Sequence, residues 1–221
     1  MIVNEIFTSI DGEGKRAGQL TTFVRLAGCN LRCSYCDTEY CQMKNQGGLM
    51  EVGAVIAACN IAGVKNVTVT GGEPLIHEDI VPLLEGLAES GFYVNVETNG
   101  TVDIDGLVDR NEYPNIFFTV DYKCPSSGME DKMNVSMFSP GSNSLTENDV
   151  LKFVVGSEKD LRKAECIMKH GDLKAQFYLS PVFGKIEASD IVEYMKDHDL
   201  QNCKIQLQLH KYIWDPMKRG V

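Results

Sequence analysis

No stretch of this chain is long and apolar enough to suggest a membrane span. The longest weakly apolar run, Val52 to Val64, is broken by Asn60 and falls short of the ~20 residues a spanning helix needs. The first twenty residues lack an apolar core and carry Glu5, Asp11, Glu13, Lys15 and Arg16, so no secretory signal peptide is expected there. Positive charge is scarce too. Lys and Arg number 21 against 31 Asp and Glu, and the net charge of −10 argues against electrostatic attachment to nucleic acid or an anionic membrane. No low-complexity segment or linker interrupts the 221 residues, and 43% hydrophobic with 24% charged content suits an ordinary globular core. A single domain over 1–221 is expected.

Cysteine is what the chain has in unusual supply. Three of its eight cysteines bunch as Cys29-x3-Cys33-x2-Cys36, which reads as cytosolic metal chemistry rather than a secreted disulfide frame, and a cytoplasmic location is expected. Two readings of the bunch compete. A [4Fe–4S] cluster can take three thiolates and leave one iron open. A zinc ion wants four ligands, and Cys41 is near enough to be the fourth. Cys41, Cys59, Cys124, Cys166 and Cys203 otherwise read as small buried hydrophobes.

Along the chain, short apolar runs alternate with helical stretches. Strands are expected at Ile2–Phe7, Thr21–Leu26, Val64–Thr70, Phe92–Val96, Ile116–Val120, Leu151–Val155, Gln176–Leu179 and Ile205–Leu209. Helices are expected near 51–59, 79–90, 157–170 (with Ser157 as N-cap) and 189–197. The alternation predicts an α/β fold, an open partial β/α barrel of about six parallel strands. Ligands in such folds sit at the carboxyl ends of strands. Cys29, Gly71-Gly72-Glu73, Glu97, Lys123, Ser180 and His210 each follow a strand directly, and Ser9-Ile10-Asp11-Gly12-Glu13-Gly14 forms a tight turn after the first. Gly71-Gly72-Glu73-Pro74 offers bare backbone and one carboxylate, which suits the ammonium of an amino acid.

The cysteine spacing together with Gly-Gly-Glu-Pro resembles the radical S-adenosylmethionine superfamily. The resemblance implies a [4Fe–4S] cluster on Cys29, Cys33 and Cys36, S-adenosylmethionine (SAM) chelated to the open iron, and hydrogen abstraction by a 5′-deoxyadenosyl radical. It weakens the zinc reading, because a closed structural zinc site has no use for an amino-acid clamp. Further segments are similar to the 7-carboxy-7-deazaguanine synthase family. They are Glu5 to Gly14, Phe23 to Leu31, Cys36-Asp37-Thr38, Thr70 to Pro74, Glu97-Thr98-Asn99-Gly100 and Gln208 to Tyr212, covering nearly the whole chain.

That narrower likeness implies a carbon–nitrogen lyase. It would contract 6-carboxy-5,6,7,8-tetrahydropterin to 7-carboxy-7-deazaguanine with loss of ammonia, in queuosine and 7-deazapurine biosynthesis. It further implies a homodimer that uses Mg2+ and an external electron donor of the flavodoxin or ferredoxin type. Carried over by position, Tyr35, Asp37, Gly72, Glu73, Glu97, Asp121, Tyr122, Lys123 and Ser180 would contact SAM, and Thr38 would ligate Mg2+. Ile10, Asp11, Gly12, Glu13, Arg25, Thr70 and His210 would hold the pterin, whose paired N–H donors suit a carboxylate and whose own carboxylate invites Arg25 and His210. Members of this type often have Gln where this chain has Asp11, and Ser-Pro-Lys where it has Asp121-Tyr122-Lys123. The tail 211–221 runs on past the point where several members stop and is expected to fold over the substrate pocket. The competing functions are another radical enzyme, such as a glycyl-radical activase, and a non-catalytic zinc-binding module.

Overall fold

Alternation along the strands divides the side chains of the computed structural model, which describes residues 1–221, into an aliphatic set and a polar set. On β4 (Asn66–Gly71), β5 (Tyr93–Thr98), β6 (Ile116–Tyr122) and β7 (Val150–Val155), one face carries Val67, Val69, Val94, Val96, Phe118, Val120, Leu151 and Phe153, all essentially fully buried. Helices α1 (Val52–Ala62), α2 (Ile80–Glu89), α3 (Glu158–His170) and α4 (Ala188–Asp197) supply the apolar stripes that belong to this core. The opposite face carries Thr68, Thr70, Asn95, Glu97, Thr119, Asp121 and Lys152, as strand periodicity requires.

The sheet has nine strands in the order β3-β1-β2-β4-β5-β6-β7-β8-β9. From β2 (Leu20–Leu26) through β8 (Gln176–Pro181) to β9 (Cys203–Ile205), seven strands run parallel, one more than the expected six. β1 (Ile2–Ile10) and the two-residue β3 (Gly48–Leu49) are antiparallel additions at one edge. β3 and β9 pair with no further strand, so the sheet stays open.

The helix ends follow local chemistry. Ser157 caps α3 by accepting from the Asp160 amide, and Gly63, at φ 72°, closes α1 in the left-handed conformation that glycine adopts without strain. The last strand, Cys203–Ile205, ends where the expected 205–209 begins. Gln206 turns its side-chain amide onto both backbone groups of Gly14, and Leu209 N donates to Gly12 O, drawing this stretch out of the sheet. The polar stretch after β6, expected as loop, contains three short 3-10 turns. Met133, Met137 and Phe138 anchor it in the core. No helix is long and apolar enough to cross a membrane.

Candidate active site

The cysteine loop leaves β2 and closes on itself. Gly28 N donates to Cys41 O at 2.8 Å and Cys29 N to Gln42 O at 2.9 Å. Cys29, Cys33 and Cys36 are unpaired and half-buried, and burial pushes the Cys29 and Cys33 thiols above their ordinary pKa. Leu31 N points at Cys29 Sγ at 3.4 Å, the kind of donor that sulfur ligands of a cluster accept. No three His, Cys, Asp or Glu groups converge tightly enough for a single metal ion. An iron–sulfur cube instead takes one thiolate per iron, so three separate thiols on one rim fit it. Cys41 is fully buried, donates to Thr38 O at 3.2 Å, and has its pKa pushed up to about 11 by burial. The Thr38 hydroxyl lies 3.8 Å from Cys36 Sγ, beside the loop.

Gly71 and Gly72 bring β4 against this loop. A Cβ on Gly72 would lie 2.8 Å from Cys29 Cβ and collide with Gly28 O, so the contact needs glycine. Glu73 then turns inward. It has no solvent exposure, and its carboxylate accepts from Leu75 N (2.9 Å), Thr98 Oγ1 (2.8 Å) and Asn99 N (2.6 Å). Burial raises its pKa to about 7 against the pull of those donors. The Glu73 carboxylate, expected at SAM, thus staples β4 to β5 through three protein donors, which leaves its backbone as the part of the residue free for a ligand.

The polar inner face carries a chain of charges. Glu13 Oε2 meets Lys152 Nζ at 3.0 Å, Lys152 Nζ lies 3.2 Å from Asp121 Oδ1, and Asp121 Oδ2 meets Lys123 Nζ at 2.9 Å. Ser180 Oγ donates to Glu13 Oε1 at 3.2 Å, and Thr70 Oγ1 to Glu97 Oε2 at 2.8 Å. Burial works against the charges of Lys123 and Lys152, but Asp121 with Tyr35 and Cys33 outweighs it at the first and Asp121, Glu13 and Glu97 at the second, so both pKa values lie above the ordinary lysine value. Burial also opposes ionisation of Asp121, yet its two lysines hold its pKa low. Asp121 Oδ1 and the Tyr35 hydroxyl are buried with no aligned hydrogen bond, leaving polar capacity for a ligand between the cysteine loop and β6. His210, whose ring abuts Gly12, has its pKa lowered chiefly by burial.

A deeper layer closes the floor. Asp11, 2% exposed, accepts from Arg16 Nε at 3.1 Å and from Thr68 Oγ1 at 2.9 Å, and Arg16 also donates to Tyr93 O, Val67 O and Thr68 Oγ1. Thr68 stands two residues before Thr70 on β4, which puts Asp11 one layer nearer the strand amino ends than the Thr70–Glu97 pair.

The model of the radical SAM superfamily matches residues 24–127. A 7-carboxy-7-deazaguanine synthase of Clostridium acetobutylicum is 46% identical over 223 residues, covering 99% of this chain and 98% of the relative. The chain belongs to the 7-carboxy-7-deazaguanine synthase family. A second such enzyme, from Methanospirillum hungatei, is 41% identical over 98% of this chain and 86% of the relative. The crystal structure of QueE from Escherichia coli superposes with a TM-score of 0.70 at 24% identity, over 93% of this chain and 92% of that one, a likeness of fold.

Within this 7-carboxy-7-deazaguanine synthase fold, Cys29, Cys33, Cys36, Gly72, Asp121 and Lys123 share the rim around the cysteine loop. Glu13, Thr70, Glu97, Ser180 and His210 lie on or against the inner face. Ser180, expected at SAM, is bonded to Glu13, and Glu97, expected at SAM, is bonded to Thr70. Arg25, on β2 between Glu5 of β1 and Thr70 of β4, is ion-paired with Glu5 at 2.8 Å, and Asp37 pairs with Lys211 of the tail at 2.9 Å. Three expected site residues have their side chains turned away or already engaged within the protein. Tyr122 points to the opposite face, packed edge-on against Phe138 at 5.1 Å and near Phe153, because it is out of phase with Asp121 and Lys123. Asp11 is consumed by Arg16 and Thr68 in the floor and offers no free carboxylate to a pterin. Ile10, the last residue of β1, is out of phase with Ser9 and Asp11 and shares the strand face of Thr8.

Lys152, Arg16, Asn99 and Gln206 were not anticipated. Asn99 bonds Asn30 Oδ1 at 2.8 Å and reaches within 3.9 Å of Cys29 Sγ. The available signal was period-2 alternation: Lys152 interrupts Val150-Leu151-x-Phe153-Val154-Val155 on the same phase as Asp121 and Glu97.

Proposed function

We propose that this chain contracts 6-carboxy-5,6,7,8-tetrahydropterin to 7-carboxy-7-deazaguanine with loss of ammonia. The observation that carries the reading is full-length likeness to the Clostridium enzyme, extending over every segment that lines the inner face. When bound, a [4Fe–4S] cluster with SAM at its open iron supplies a one-electron cleavage that starts radical chemistry.

The chain's own residues divide the remaining work. Cys29, Cys33 and Cys36 hold the cluster, and the backbone of Gly72 with Tyr35, Asp121 and Lys123 cradles SAM. Glu13, fixed between Lys152 and Ser180, accepts paired N–H donors from the pterin. Glu97 and Thr70 face the ring from β5 and β4, while Arg25 and a neutral His210 receive its oxygens. The neutral ring follows from burial, which holds the imidazole below its ordinary pKa. The Thr38 hydroxyl contributes to a Mg2+ site completed by substrate and water oxygens. Residues 211–221 lie over the cysteine-loop side: Lys211 reaches Asp37, Tyr212 meets Phe183, and Arg219 stacks 4.0 Å from the Tyr40 ring. A homodimer in the cytoplasm, reduced by a flavodoxin or ferredoxin type donor, completes the proposal.

Anaerobically reconstituted protein given the pterin, SAM, Mg2+ and a reductant is expected to form the deazapurine chromophore and release ammonia. Colourless protein with one zinc, or iron-loaded protein that leaves the pterin unchanged, sinks this reading. Cys41→Ser is expected to keep its full iron and sulfide content.

A further inference from the structure

Lys152 is the one charged side chain on the inner face of β7, flanked by Val150 and Val154 on the same phase. Its side chain is 6% exposed, and its register partner on β6 is Asp121. It stands between two groups of different origin. Glu13 comes from the turn after β1, 139 residues away in sequence, and Asp121 comes from the carboxyl end of strand β6, before Lys123 leaves the sheet. The ammonium meets the Glu13 carboxylate at 3.0 Å and the near oxygen of Asp121 at 3.2 Å, while the far oxygen of Asp121 holds Lys123 at 2.9 Å.

Stability does not account for this arrangement. Desolvating a lysine and two carboxylates offsets most of their mutual attraction, and an apolar residue of similar length packed between Val150 and Val154 would serve a core as well or better. What the ion chain fixes is geometry: a buried lysine and two partly buried carboxylates from three separate segments are held at one spacing. The near oxygen of Asp121, which lies 3.2 Å from Lys152 Nζ, lacks an aligned hydrogen bond, so the chain is left unsaturated at the Lys152–Asp121 junction.

We propose that Lys152 is a positioning residue that ties the SAM cradle to the substrate carboxylate, so that occupancy of one pocket orders the other. The names of the two pockets rest on the function proposed above; the link from Glu13 through Lys152 to Asp121 does not. With Lys152 in place, a ligand that engages Asp121 and Lys123 fixes the ammonium, and the ammonium fixes Glu13. Without it, Asp121 keeps only Lys123 and Glu13 keeps only Ser180, and the two pockets act independently.

The test compares wild type, Lys152→Met and Lys152→Arg, each reconstituted anaerobically, with iron and sulfide content and the thermal midpoint of the metal-free chain recorded first. SAM affinity is then titrated through the change in the cluster spectrum, with and without the pterin. All three proteins are expected to carry the same cluster. Lys152→Met is expected to bind SAM at least ten-fold more weakly, and Lys152→Arg to return within about three-fold of wild type. The pterin is expected to tighten SAM binding by about five-fold or more in wild type, within the usual range of coupling between sites, and not at all in Lys152→Met. SAM binding by Lys152→Met within two-fold of wild type overturns the proposal, as does an equal loss in the Met and Arg variants. Should Lys152→Met fail to fold, the charge-balanced pair Glu13→Gln/Lys152→Met takes its place with the same expectation for SAM. Wild type whose SAM affinity the pterin leaves unchanged overturns the coupling, whereas wild type that binds SAM but leaves the pterin unconverted defeats the functional reading alone, and the SAM titrations still decide Lys152.

Discussion

Asp11 and Glu13 are two residues apart in one turn, both face the inside of the barrel, and both meet a cation. Asp11 meets Arg16, whose remaining donors go to Val67 O, Tyr93 O and Thr68 Oγ1, fixed acceptors of the sheet. Every partner in that layer is protein, and the layer is shut. Glu13 meets Lys152, which is shared with Asp121, which in turn has a buried oxygen without an aligned donor. The same pairing of carboxylate and cation is thus saturated in one layer and left with spare capacity in the next. The difference separates a floor from a binding surface.

Breaking the floor is expected to give the largest effect on folding. Arg16→Met strands Asp11 in a buried site and frees three acceptors, and losing one partner of a buried pair costs about 3–5 kcal/mol. Urea unfolding of the metal-free chain should register that loss, while turnover per folded, cluster-loaded molecule stays within about three-fold. Breaking the upper layer should invert the pattern. Glu13→Gln keeps the shape but gives up the charge that accepts the substrate's donors, and kcat/KM is expected to fall about 30- to 150-fold, the equivalent of roughly 2–3 kcal/mol. Its urea midpoint should stay close to wild type. If Glu13→Gln unfolds the chain and Arg16→Met leaves it intact, the division into floor and binding surface is wrong.

How much of this was legible in the sequence depended on whether a residue's task could be met locally. Cys29, Cys33 and Cys36 act through spacing within one loop, Ser157 through the next turn of its own helix, and Gly72 through a missing side chain. All three kinds of signal survive without coordinates. Asp11 and Tyr122 misled for opposite reasons. Asp11 looks free because Arg16, five residues on, gives no hint that it will fold back beneath the sheet. Tyr122 sits between Asp121 and Lys123, yet successive strand residues face opposite ways, so adjacency separates it from them. Lys152 was missed because its partners come from 31 and 139 residues away. The early end of the last strand at Ile205 has the same origin, since the groups that draw Gln206 and Leu209 out of the sheet belong to Gly14 and Gly12.

The floor should also titrate. Burial raises the Asp11 pKa to about 7 from an ordinary carboxylate value, with Arg16 and Thr68 only partly offsetting it. Between about pH 4 and pH 7 the folded chain therefore holds more protons at this site than the unfolded chain, and unfolding free energy must fall as pH rises through that window. One proton gives at most about 1.4 kcal/mol per pH unit. Glu73, raised to about 7 by the same cause, adds in the same direction. The metal-free chain is expected to be more stable at pH 5.5 than at pH 7.5, and Asp11→Asn to flatten the curve. A wild-type curve that rises across this range would falsify the assignment of these two carboxyls.

The smallest effect belongs to Tyr122, and its smallness is informative. The ring is 5% exposed, edge-on to Phe138 and 6.0 Å below the Lys163 ammonium, all on the helix side of the sheet. Tyr122→Phe keeps the ring and removes only a hydroxyl near Lys163, so stability should move by about 0.5 kcal/mol or less and SAM affinity not at all. Tyr122→Ala, by contrast, empties a packed site and should cost about 3–5 kcal/mol, again with SAM affinity unchanged in the folded fraction. A weaker SAM titration for Tyr122→Phe at unchanged stability would place the hydroxyl on the inner face. The strand phase that puts Glu97, Asp121 and Lys152 together would then have to shift by one residue, taking the whole ionic layer with it.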